Sequence, residues 1–74
     1  MEIEIQLVII NELGVFEGKK SMVTEEVYNN IINISKRFYS GNAGFDLTCD
    51  DSFIVFPPDI VQKSILRINK RIIE

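Results

Sequence analysis

The sequence predicts an α+β fold: an antiparallel sheet of four to five strands with one helix packed on one face, in the order ββαβββ. Two observations carry this. Apolar residues alternate with period two before residue 20 and after residue 44. Between those stretches they recur with the period of a helix. The chain of 74 residues reads as a single small domain, 1–74.

The first element is Glu2-Ile3-Glu4-Ile5-Gln6-Leu7, a half-buried strand with Ile3, Ile5, Leu7 and Ile9 on its inner face. Val8 and Ile10 interrupt the polarity of the outer face. Asn11-Glu12-Leu13-Gly14 is a turn, and Val15-Phe16-Glu17 starts a second strand that closes a hairpin. Gly18 marks a bulge or the end of that strand.

The helix is expected over residues 24–40. Thr24 is its N-cap, and Glu25 and Glu26 favour the first turn. Val27, Ile31, Ile34 and Phe38 form one apolar face. Lys36 and Arg37 suit the last turn, with Gly41 as the stop. Asn and Ile residues lower the intrinsic helix propensity, so this helix needs the sheet to hold it.

Phe45, Leu47 and Cys49 alternate with Asp46, Thr48 and Asp50 as another half-buried strand. Asp50-Asp51-Ser52 supplies a turn. Phe53–Phe56 is a short, fully apolar strand that Pro57-Pro58 ends. Two readings compete for the last segment. Val61, Ile65, Ile68 and Ile72 make a helical stripe, but Leu66 and Ile73 fall on the opposite face. The favoured alternative is a single turn at 58–63, then a strand with Leu66 and Ile68 inward and Ile65, Arg67 and Asn69 outward.

The order Val15-Phe16-Glu17-Gly18, one helix, Gly44-Phe45-Asp46-Leu47, Phe53 through Pro58, then Ser64-Ile65-Leu66 resembles small proteins of Gram-positive bacteria. Those proteins are often encoded by phages and other mobile elements. The resemblance covers most of the chain and rests on pattern. It implies no catalytic residue.

Composition narrows the function further. There is no His or Trp, and Cys49 is the only cysteine. No imidazole is present to activate Cys49, and three Asp residues lie near it in sequence. Core packing is the better reading. Asp46, Asp50 and Asp51 lack the spacing of a calcium loop. Gly41 to Gly44 follows a helix, whereas a phosphate loop precedes one. The expectation is therefore no catalysis, no metal and no cofactor.

One cysteine offers no intramolecular disulfide, and no apolar run is long enough for a membrane span. A cytoplasmic setting is expected. The net charge of −3 argues against nucleic acid as the main partner. Charge is blocky: Lys63, Arg67, Lys70 and Arg71 occupy the end of the chain without an intervening acid. Ile10, Leu13, Val15 and Phe16 cluster around the first turn.

These features favour a small protein-interaction module, such as a phage-encoded inhibitor or accessory factor acting on a larger protein. The expected partner-binding residues are Leu13, Val15, Phe16, Arg67, Lys70 and Arg71. A homodimer is also expected, because a small sheet leaves edges. The competing class is a nucleic-acid-binding regulator using the basic residues from Lys63 to Arg71.

Overall fold

A computed structural model describes residues 2–41 and 43–73. Strand β1 (Glu2–Asn11) is the axis of the fold. Strands β2 (Gly14–Glu17) and β3 (Ser21–Thr24) lie end to end along one side of it. β2 pairs with residues 8–11 and β3 with residues 2–5. Helix α1 (Glu25–Ser35) follows, then β4 (Phe45–Thr48), β5 (Phe53–Phe56), a single turn α2 (Pro58–Val61) and β6 (Ile65–Ile73). β6 runs along the whole other side of β1, from Ile10 opposite Ile65 to Glu2 opposite Ile73. All pairings are antiparallel, which gives a four-stranded sheet.

The first hairpin turns as the sequence indicates. Asn11 Oδ1 accepts the Leu13 amide at 2.8 Å, and Gly14 takes a φ of 140°, where a side chain would be strained. The strand that returns is broken at Gly18–Lys20. The Gly18 N–H still donates to Leu7 (2.8 Å), but the Lys19 N–H donates to Thr48 of β4 (2.7 Å). This break hands the backbone from the main sheet to the second one.

Alternation on β1 creates two faces. The inner face carries Ile3, Ile5 and Ile9, all buried, with Leu7 half-buried. Leu47, Phe56 and Val61 close over Ile9, with Phe16, Phe45 and Leu66 packed around them. Helix α1 lies near β1 and β3 and buries none of its residues completely. Its cap is as expected: the Val27 amide donates to Thr24 Oγ1 at 3.2 Å.

Four details differ from the sequence reading. The α-helix ends at Ser35, short of residue 40, because the following amides switch to i→i+3 bonds: Arg37 to Ile34 and Phe38 to Ser35. β3 carries no strand signal in the sequence, since Ser21-Met22-Val23-Thr24 has little alternation and leads directly into the helix cap. β4 and β5 form their own hairpin outside the four-stranded sheet. Phe53 and Val55 in that hairpin are exposed, because only Ile54 and Phe56 share the face that meets the core. The C-terminal segment follows the turn-plus-strand reading, with Leu66 and Ile68 inward and Ile65 and Arg67 exposed.

Candidate interaction surface

The outer face of the sheet is built from the even residues of β1 and their cross-strand neighbours. Val15, Ile10 and Ile65 form one row, since Ile10 opposes both of the others. Glu17, Val8 and Arg67 form the next row. Gln6 and Asn69 follow, joined by a hydrogen bond from Asn69 Nδ2 at 3.3 Å. Met22, Glu4 and Arg71 come next, with Arg71 Nε 3.3 Å from the Glu4 carboxylate.

Among the described residues no helix or hairpin covers the first row. Val15 is 62% exposed and Ile65 61%. Leu13, at the tip of the hairpin, is 68% exposed and extends the same end of the face. The turn that carries it is braced: Asn11 accepts the Leu13 amide and also donates through Nδ2 to Ser64 Oγ at 3.2 Å. Ser64 is buried and donates in turn to Ile60. This end of the face is therefore both apolar and anchored to the start of β6. Val8 stays buried on this face, between Glu17 and Arg67, whose long side chains stand on either side of it.

The six residues singled out from the sequence divide between two faces. Leu13, Val15, Arg67 and Arg71 belong to the outer face or its tip. Phe16 does not. It opposes Ile9 on the inner face and meets Phe56 edge-to-face, with ring centroids 5.4 Å apart and an interplanar angle of 74°. It is a packing residue, because the residue after Val15 in a strand must point the other way. Lys70 also lies on the inner side, with its ammonium 4.6 Å from the centre of the Tyr28 ring on α1. The sequence marks Ile65 as outward-facing but gives no sign that it belongs to a site. Its contribution depends on the register with Ile10, fifty-five positions away in the chain.

The remaining candidates have ordinary surroundings. Cys49 is half-buried against the core, with Sγ 3.7 Å from the Glu17 carbonyl. Asp46, Asp50 and Asp51 are exposed, and among the described residues no three Cys, Asp or Glu side chains converge. A groove of about 740 Å³ runs between the C-terminal half of α1 and the sheet, lined by Leu7, Ile31, Ile34, Phe38, Phe45 and Leu66 among others. Its floor is apolar, and among the described residues Arg37 is the one ionisable residue on its wall. No described helix is long and apolar enough to cross a membrane. Comparison with family models, curated proteins and solved structures finds no significant match to this chain.

Proposed function

We propose that this chain is a small non-catalytic interaction module that docks on a larger protein through the outer face of its sheet. The observation that supports this most is the uncovered row Val15–Ile10–Ile65, continued by Leu13. Contiguous exposed apolar surface on a small domain marks a contact site more often than isolated side chains do. Arg67 stands in the adjoining row and Arg71 two rows beyond it on the same face, a polar margin on one side of the row that steers association. The pattern-level resemblance to phage- and element-encoded proteins fits an inhibitor or accessory factor.

The nucleic-acid reading has less support. A duplex binder collects its cations on one face. Here Arg67 and Arg71 stand on the outer face, Lys70 stacks on Tyr28 on the inner side, and the chain carries a net charge of −3.

The test is affinity capture from the native cell after nuclease treatment and a moderate-salt wash. A specific protein is expected. Leu13→Asp together with Val15→Asp should abolish capture while the circular dichroism spectrum stays unchanged. Arg71→Ala should weaken it less, mainly by slowing association. Capture that survives the double substitution overturns the assignment to this face. Sub-micromolar binding to DNA or RNA with a steep salt dependence overturns the class.

A further inference from the structure

We propose that β6 pairs antiparallel with β6 of a second copy about a two-fold axis through Asn69, joining two four-stranded sheets into one. The argument begins with the edge. Among the described residues β6 pairs with β1 alone. It is nine residues long, Ile65–Ile73, and contains neither Pro nor Gly. Natural edge strands are usually short, bulged, covered, broken by proline or guarded by charge, because open amides and carbonyls template further pairing; charge, on Arg67, Lys70 and Arg71, is the one of these devices that β6 carries.

The direction of the free backbone groups follows from β1. The Leu7 carbonyl accepts from Gly18, so it points toward β2 and β3. Amides alternate along a strand, so Gln6 and Val8 bond toward β6, and their partners Asn69 and Arg67 bond back. Leu66, Ile68, Lys70 and Ile72 are left with N–H and C=O groups aimed away from the sheet. These four positions pair with one another about Asn69: Leu66 with Ile72, and Ile68 with Lys70.

The outer face of the strand is palindromic in residue class about that same position. On the outer face Ile65, Arg67, Asn69, Arg71 and Ile73 read the same in both directions, apolar at the ends, basic one step in and polar at the centre; on the inner face Leu66 matches Ile72, and Ile68 meets Lys70. An isologous contact needs such self-complementarity. In this register Ile65 meets Ile73 on the outer face, and Leu66 meets Ile72 on the inner face. Ile72 is 50% exposed in the single copy, and Leu66 lines the groove beside α1. The second copy thus places Ile72 at the mouth of that groove, near Ile34, which is 71% exposed.

The area is sufficient. Nine residues span about 30 Å, and the molecule is 17 Å across its shortest axis. A contact of those dimensions buries about 500 Å² per copy, or about 1,000 Å² in total, the lower bound for a specific interface. The unfavourable elements are Arg67 opposite Arg71 of the second copy and Lys70 opposite Ile68, where the Lys70 ammonium is drawn off to the Tyr28 ring. Glu4 already holds Arg71, which reduces the repulsion. The other edge of the sheet is broken at Gly18–Lys20 and bonded to Thr48, so assembly closes at two copies. The dimer would also place both Val15–Ile10–Ile65 rows on one surface.

The test is cysteine pairing in a Cys49→Ser background, with light scattering alongside. In the two-fold register the Asn69 positions form a non-hydrogen-bonded pair with Cα atoms about 4.5 Å apart, within disulfide reach. Asn69→Cys should therefore oxidise to a covalent dimer at least tenfold faster than Arg71→Cys, whose equivalent positions lie about 14 Å apart. The unmodified chain should be dimeric at high micromolar concentration, and added salt should not dissociate it, since screening relieves Arg67 against Arg71. Lys70→Pro removes one outward amide and should give a folded monomer. A monomer in scattering, or equal oxidation of the two cysteine variants, overturns the proposal. Dissociation by salt overturns it too and points to an acidic strand as the natural occupant of the edge. Capture through Leu13 and Val15 is read out separately, so either result leaves that assignment to its own test.

Discussion

Gly18→Ala tests the junction that joins the two sheets. A methyl group at Gly18 would stand 2.8 Å from Leu47 Cδ1, 2.9 Å from the Leu7 carbonyl oxygen and 3.1 Å from the Thr48 carbonyl oxygen. Two of these neighbours are backbone, on β1 and β4, and cannot rotate aside. The third belongs to Leu47, which is 1% exposed and held by the core. Forcing an extra carbon into a filled interior typically destabilises by about 1–3 kcal/mol. Alanine also restricts the unfolded chain, which returns about 0.4–1 kcal/mol. Two contacts under 3.0 Å, one of them to backbone, put the cost in the upper half of that range, about 2–3 kcal/mol, so the net expected loss is about 1–2.5 kcal/mol. In a domain of this size that lowers Tm by about 5–15 °C. Urea and thermal unfolding followed by circular dichroism, at one protein concentration, measure it directly. Gly41→Ala is the control, since the nearest atom to its added carbon is 3.9 Å away. It should match or slightly exceed the parent. A Gly18→Ala variant within about 0.5 kcal/mol of the parent would refute the close approach of β1, β4 and the broken strand.

Two further outcomes follow from the same packing. Phe16→Ala should lower stability by about 3 kcal/mol in urea titration, as loss of a ring from the core does, whereas Leu13→Asp should stay within about 0.5 kcal/mol because its site is open to solvent. Thr24→Ala should lower stability by about 1 kcal/mol through loss of the helix cap; Thr24→Ser, which keeps the hydroxyl that receives the Val27 amide, should restore most of it in the same assay.

Much of this fold is legible in local chemistry. Alternation along Glu2 to Ile10 defines the central strand, and Asn11 through Gly14 defines its turn. Thr24 with two following carboxylates places the start of the helix to the residue. Pro57-Pro58 and the mismatch of Leu66 with a helical stripe separate the last turn from the last strand. These signals are strong because each depends on neighbours within a few positions: a φ that only glycine tolerates, a hydroxyl that reaches an amide three residues on, a ring that removes a donor.

What the tertiary structure decided is which faces are covered. Period two separates Val15 from Phe16, but it does not say which of them meets Phe56 and which meets solvent. That choice belongs to β4, β5 and α2, which close over Ile9 from thirty-six or more positions downstream. Strand β3 exists because residues 2–5 of β1 had an open side within reach, not because Ser21-Met22-Val23-Thr24 prefers extension. The outer row likewise needs the register of β6 on β1, set by nine cross-strand pairs acting together. Local sequence determines the direction and turn of each piece. The apolar area each piece finds for burial, which is a property of the assembled chain, determines where the pieces go and what surface is left over.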